Sequence, residues 1–308
     1  MDNFNFGKEF VRSEVSSVLG QEEVKKQLKS AILMERHVVL VGPPGVGKTT
    51  LVKGIASILP KTSKGKERPF VRVQGSPDLT AEDLIGDIDP SLALKHGPLS
   101  KEAFTPGKIF KADGGILFFD EINRCSEKLQ NSLLQALEEG IVTIGSFEVD
   151  FNANFILVGT MNPEEASTEP LSDVFLDRFD VIYMDAPKTL DIEKKVVLKS
   201  GKKLVDFPQG LLTGVVSFIR KLRANKNLEK HPSVRATIGV YERAQSNSYL
   251  DGKSVVEVLH VQEALVSVLS HRIRLKPSVR YVKNVKDFVR EEFSEFYKDF
   301  MKESGGSP

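Results

Sequence analysis

Gly42-Pro43-Pro44-Gly45-Val46-Gly47-Lys48-Thr49 has the spacing Gly, four residues, Gly-Lys-Ser/Thr, and Thr50 continues it. Each residue type has a task at a phosphate. Glycines let backbone N–H groups close around the oxygens, a lysine reaches the outer phosphates, and a hydroxyl ligates Mg²⁺. Lys48 and Thr49 fill the last two roles. A second constellation is Ile116-Leu117-Phe118-Phe119-Asp120-Glu121, an apolar run ended by two adjacent carboxylates. Asp120 is suited to hold Mg²⁺ through water, and Glu121 to act as base on an attacking water. A small-molecule kinase already has an acceptor hydroxyl and needs no carboxylate to activate water. The pair therefore favours hydrolysis of a nucleoside triphosphate over transfer.

These groups can cooperate only if strands bring them to one sheet edge. Val38–Val41 (VVLV) is a β-branched apolar run closed by Gly42, the pattern of a fully buried strand. Similar runs occur at Phe70–Val73, Ile116–Phe119, Phe155–Val158 and Val181–Met184. Helical patterns lie between them, clearest at Lys48–Leu59 and Glu127–Glu138. Leu19–Arg36 precedes the first strand, with Val24, Leu28, Ile32 and Leu33 at helix spacing. The alternation predicts an α/β fold, a doubly wound parallel sheet covered on both faces. Ligands of such sheets sit at the carboxyl ends of the strands, where Gly42 and Asp120 fall.

Two stretches break the rhythm. Gly75–Gly115 is rich in Gly, Pro and Asp and is long enough to be functional or to carry small elements of its own. Ile141–Phe151 alternates around Gly145-Ser146, which predicts a β-hairpin. After Pro187 only helical patterns appear, at Leu190–Ser200, Leu211–Arg223, Ala236–Gln245 and Val255–Ile273. The expectation is a nucleotide-binding core over residues 1–187, a helical domain over 188–302 and a disordered tail over 303–308. Val285–Tyr297 places Phe288, Phe293 and Phe296 at uneven helical spacing, to pack on the helical domain or meet a partner.

Composition narrows the alternatives. Of 308 residues, 40% are hydrophobic and 28% charged, which excludes disorder throughout. A formal net charge of +1 gives no whole-chain electrostatic footprint for nucleic acid. The basic run Lys61–Arg68 reads as a solvated loop. The single cysteine, Cys125, makes neither an internal disulfide nor a thiolate metal site alone, and the dispersed histidines suggest no zinc. No apolar run approaches the roughly 18 residues that span a bilayer. The N-terminal residues lack a secretory pattern, so a cytoplasmic location is expected.

With these motifs in place, the sequence from about Val18 to Ile273 resembles the AAA+ ATPases, in their MoxR and magnesium-chelatase-like branch. The resemblance implies a P-loop core with a C-terminal α-helical lid, ATP and Mg²⁺ as cofactors, and assembly of identical chains into a hexameric ring. Gly159-Thr-Met-Asn162-Pro163 looks like sensor 1, which makes Asn162 the side chain that helps position the attacking water. Leu176-Asp-Arg178-Phe179 is similar to the segment whose arginine reaches a neighbouring subunit's nucleotide; the alternative for Arg178 is a salt bridge to Asp177 or Asp180. Ser233-Val-Arg235-Ala resembles sensor 2, where Arg235 would touch the phosphates, with Val234 standing where proline is commoner. Arg124 matches the branch too and is placed at an interface. The 75–115 and 141–151 stretches look like the branch's two insertions. The implied function is ATP-driven remodelling or activation of a partner protein. Since no Asp-x-Ser-x-Ser string occurs here, the resemblance implies that this partner is a separate chain and that an integrin-like metal-adhesion domain would be carried there. Two alternatives stay open: a motor subunit of a metal chelatase, and a DNA-translocating ATPase, against which the near-neutral charge counts.

Overall fold

In the computed structural model the apolar runs become the strands of one sheet. The structure describes residues 8–62, 65–97, 100–143, 150–163 and 171–303. The chain forms two compact units. One contains the chain up to Pro43 together with Gly47–Met184, the other Pro44–Val46 together with the chain from Asp185 onward.

The first unit is built on five parallel strands, β1 (His37–Val41), β2 (Phe70–Gln74), β3 (Ile116–Asp120), β4 (Ile156–Met161) and β5 (Phe179–Tyr183), in the spatial order β2-β3-β4-β1-β5. The three central strands lose almost all contact with solvent: Val38–Leu40 and Ile116–Phe119 are fully buried, and Leu157 and Val158 likewise. Two-sided burial is why these strands read as unbroken apolar runs and not as alternating ones. Helix α1 (Glu22–Leu33) precedes β1, while α2 (Lys48–Ser57) follows it and α3 (Glu127–Glu139) follows β3. Helix α1 buries Val24, Leu28, Ala31 and Ile32, an i, i+4, i+7, i+8 face. Ser126 caps α3 by accepting from the Leu129 N–H, and Gly140 ends it in the left-handed conformation.

The 75–115 stretch carries short helices at Ala81–Ile85, Pro90–His96 and Lys108–Lys111, and an antiparallel pair of Gly86–Ile88 with Phe104–Pro106. It is more than an excursion, because Leu84, Ile109 and Ala112 are buried in the same core as Leu117 and Phe119. Ile141–Thr143 pairs antiparallel with Asp150–Asn152, while the expected turn at Gly145-Ser146 lies outside the described residues, as do residues 304–308 of the tail. In the basic run, Arg68 ties the loop to the core by donating to the Gly114 carbonyl at 2.7 Å. His37 accepts the Leu157 N–H at Nδ1 (3.0 Å) and sits 3.1 Å from the Leu137 carbonyl at Nε2, so the neutral Nε2–H tautomer fits. Burial holds its pKa below the ordinary value. Cys125 is buried, and burial pushes its thiol up to about 11, which makes it an inert core residue.

The second unit consists mainly of helices: α4 (Leu190–Ser200), α5 (Gln209–Arg223), α6 (Val234–Leu250), α7 (Val258–Leu269) and α8 (Val285–Glu303). Phe288 and Phe293 of α8 are buried in this unit's core, Phe293 edge-on to Phe218 at 5.1 Å. The aromatic C-terminal segment therefore packs on the helical unit. One feature departs from the sequence reading: Leu228–Lys230 pairs antiparallel with Arg274–Leu275, in strands too short to leave an apolar signature. The unit also buries a carboxylate completely. Glu193 accepts from Arg223 Nη1 (2.7 Å) and Nη2 (2.5 Å), from Thr237 Oγ1 (2.8 Å) and from Arg220 Nη1 (3.2 Å). Arg220 also donates to the Pro187 carbonyl at 2.7 Å, and Arg223 to that of Pro232 at 2.9 Å. Among the described residues no helix is long and apolar enough to cross a membrane.

Candidate active site

Strand register decides which side chains meet. Val41 lies opposite Met161, Phe119 opposite Gly159 and Gln74 opposite Asp120, so β1, β4, β3 and β2 end at one level. The chain leaves β1 at Gly42, whose N–H donates to the Met161 carbonyl at 3.1 Å. A Cβ on Gly42 would lie 2.1 Å from the Met184 carbonyl oxygen, so no larger residue fits. Gly47, at φ +104°, is the N-cap of α2. It has no side chain to accept from the first-turn N–H groups, and a helix start of this kind suits an anion. Lys48 Nζ donates to the carbonyls of Gly42 (2.5 Å) and Pro43 (3.0 Å), and so is folded back on the loop. Gly42, Pro43, Gly47, Lys48, Thr49 and Thr50 belong to the first unit, Pro44, Gly45 and Val46 to the second.

At the end of β3, Asp120 is held on both oxygens. Oδ1 accepts from Thr160 Oγ1 at 2.7 Å, and Oδ2 from Arg72 Nη2 at 2.6 Å. Thr49 Oγ1 stands 3.5 Å from the same Oδ2. Thr160 is buried in β4 and its hydroxyl also accepts the Glu121 N–H at 2.9 Å. Glu121 itself adopts φ 56°, ψ 51°, a left-handed conformation unusual for glutamate. Its backbone is pressed against Gly75, where an added Cβ would lie 2.0 Å from the Glu121 carbonyl oxygen. Its carboxylate accepts from Gln74 Nε2 at 2.9 Å and faces Arg124 Nε at 3.1 Å.

The residues present fit a Mg²⁺–nucleoside triphosphate. A hydroxyl and a carboxylate oxygen converging at 3.5 Å are the hard oxygen donors that Mg²⁺ takes alongside its retained waters and phosphate oxygens. The glycine-capped helix start and the Lys48 ammonium are of the kind that would supply donors and charge to phosphates.

The other candidates are placed as follows. Asn162 is half-buried immediately after β4, between the ends of β1 and β3. Arg178 follows a one-turn helix, Asp173–Leu176, and its guanidinium donates to the Glu138 carboxylate and the Val174 carbonyl. Neither Asp177 nor Asp180 is the partner in those bonds; Asp180 pairs with Arg36 at 2.9 Å. Arg235 is exposed on the first turn of α6, in the second unit. Within the first unit the structure thus joins Thr49, Asp120 and Glu121, and leaves Arg178 engaged elsewhere. Sequence reasoning missed Thr160, Arg72 and Gln74. The available signal was polar residues at alternate positions of a short strand, Arg72 and Gln74 in FVRVQ, at the carboxyl end where ligands gather.

Comparison with known proteins agrees with this architecture. Residues 37–179 match the AAA domain of the dynein-related subfamily, and residues 220–292 the AAA lid domain. The magnesium-chelatase subunit ChlI of Olisthodiscus luteus is 32% identical over 309 residues, covering 85% of this chain and 90% of that protein. The chaperone MoxR1 of Mycobacterium tuberculosis is 26% identical, over 84% of this chain and 73% of that protein. Among solved structures, a mutant of Thermotoga maritima RuvB superposes with a TM-score of 0.55 at 22% identity, covering 82% of this chain and 71% of that one.

Proposed function

This chain belongs to the AAA+ ATPases, in the branch of MoxR and ChlI-like proteins, and we propose that it couples Mg²⁺-dependent ATP hydrolysis to remodelling of a partner protein. The observation that carries the reading is the meeting of Thr49 with Asp120 at the end of β3, with Glu121 as the next residue. Lys48 binds the outer phosphates, while Thr49 and Asp120 hold Mg²⁺. The metal, when bound, neutralises charge on the phosphate oxygens. Glu121 takes the proton of the attacking water, and Asn162 orients that water. Arg178 leaves Glu138 and reaches the nucleotide of a neighbouring copy, where its charge stabilises the transferring phosphoryl group. Arg235 contacts the phosphates from the lid and reports nucleotide state to it.

Completion of each site by a second copy implies a ring, taken as a hexamer. The relative named as a subunit of magnesium chelatase works by that name within a complex, and the one named MoxR1 is called a chaperone. Both support a separate protein partner, and the reading places the ring in the cytoplasm. A chelatase motor remains the second reading, favoured by the 32% identity to ChlI.

The test is ATPase rate per subunit against protein concentration for the wild type, Arg178→Ala, Glu121→Gln and a mixture of the two variants. The expected result is a rate rising steeply with concentration, both variants inactive, the mixture partly active, and ATP binding retained in Glu121→Gln. A concentration-independent rate with Arg178→Ala fully active would remove the ring. Unchanged turnover in Glu121→Gln would remove the base.

A further inference from the structure

The second unit carries a cleft of about 670 Å³ bordered by the turn after α4, the middle of α6 and the end of α7. Its walls bring together Lys202, Lys203, Arg243, His271 and Arg272 against a single carboxylate, Glu242. That carboxylate is committed, because it accepts the backbone N–H of Lys202 at 2.9 Å. Among the described residues Lys203 has only Asp206, at 3.9 Å and exposed, a pair worth little. Among the described residues no carboxylate pairs with the side chains of Lys202, Arg243 or Arg272. Positive charge therefore accumulates without compensation.

The cleft is also built rigidly. Gln245, completely buried in α6, accepts the N–H groups of Leu204 (2.8 Å) and Val205 (3.3 Å) and donates to the carbonyls of Lys202 (3.1 Å) and Tyr241 (3.0 Å). This one amide clamps the backbone of 202–205 to the helix. The turn approaches so closely that a Cβ on Gly201 would lie 2.7 Å from the Tyr241 ring. On the opposite wall, Arg272 Nη1 is fixed on the Val268 carbonyl at 2.9 Å. From this clamped backbone the Leu204 side chain projects, 54% exposed. A preorganised row of cations beside one presented apolar side chain loses little entropy when it binds.

We propose that this cleft binds an acidic segment of a partner protein, whose Asp and Glu side chains pair with Lys202, Arg243 and Arg272 while an apolar side chain packs on Leu204. Guanidinium groups take carboxylates in bidentate fashion, which suits the two arginines. A nucleic acid would supply anions too, but among the described residues no Phe or Tyr lines the cleft, and His271 is the single ring there on which a base could stack. The proposal extends the reading of a partner-remodelling ATPase. Its test measures binding and not turnover, so either can fail alone.

The test uses fluorescence anisotropy of a short fluorescein-labelled peptide of Asp and Glu with one Leu, titrated with the full chain at low salt. A single-stranded DNA of the same length is run in parallel. The expected result is salt-sensitive peptide binding that weakens about tenfold in Lys202→Glu/Arg243→Glu and a few-fold in Leu204→Ser. Basal ATPase and circular dichroism stay unchanged in both variants, which shows them folded. Absence of peptide binding, or equal affinity in the charge-reversed variant, would overturn the proposal. Tighter binding of the DNA, lost in the same variant, would also overturn it and assign the cleft to nucleic acid.

Discussion

Glu193 offers the sharpest test of the physical reasoning, because a carboxylate without solvent contact exists only if its partners offset its desolvation. Glu193→Gln keeps the shape and one acceptor but removes the charge that Arg223 and Arg220 face. Removing one member of a buried pair costs about 3–5 kcal/mol; the arginine side chains are 17% and 29% exposed, so water partly solvates what is left and about 3 kcal/mol is expected. That is a large share of a stability of about 5–15 kcal/mol. The pH dependence has a definite sign. Burial alone would raise the Glu193 carboxyl, but hydrogen bonds and charge from Arg223, with Thr237 and Arg220, outweigh it, and its pKa lies below the ordinary 4.5. A depressed carboxyl stabilises fully above the unfolded value, and the contribution disappears as pH falls through the folded one. Urea unfolding followed by tyrosine fluorescence suits this measurement, since Tyr241, Tyr249, Tyr281 and Tyr297 all lie in the second unit. Wild type and Glu193→Gln should differ by about 3 kcal/mol at neutral pH and converge in acid. A difference below about 1 kcal/mol at neutral pH, or one that persists unchanged at low pH, would refute the account.

Three further outcomes follow from contacts in the first unit. Arg72→Ala removes a cation that competes with a metal ion for Asp120 Oδ2; the pair is half exposed on the arginine side, so Mg²⁺–ATP affinity should rise by up to about fivefold in an equilibrium titration. Thr160→Val removes the hydroxyl that serves both Asp120 and the Glu121 N–H; stability should fall by about 1–3 kcal/mol, and ATPase rate should fall with ATP affinity little changed. Because burial keeps the folded His37 imidazole from taking a proton at its ordinary 6.5, the unfolded state binds more protons below that value. Stability should decline as pH drops below it, and a denaturation series in His37→Gln should show a flatter profile.

The engine was legible in the sequence because its parts are contiguous. Gly42–Thr49 and Asp120-Glu121 each carry their chemistry within a short string, and the apolar runs before them dictate a buried parallel sheet. The residues that hold these groups in place were not legible in the same way. Arg72 meets Asp120 across 48 positions and Gln74 meets Glu121 across 47, contacts that exist only through the register of β2 on β3. Thr160 looked like part of a motif for Asn162, and its second task depends on β4 lying beside β3. Arg178 has Asp177 and Asp180 as sequence neighbours, yet it bonds to Glu138, brought near by the fold. In the second unit, the 228–230 and 274–275 pair is too short for any periodicity to register.

The hydroxyl of Thr160 has a mechanical consequence. It touches the carboxylate assigned to the metal and the backbone of the residue assigned to the water, and it sits on β4 two positions before Asn162, which directly follows the strand. The metal, proton and water roles proposed for Asp120, Glu121 and Asn162 would therefore all depend on the placement of one strand. A sub-ångström slide of β4 would detune all three at once instead of weakening one of them.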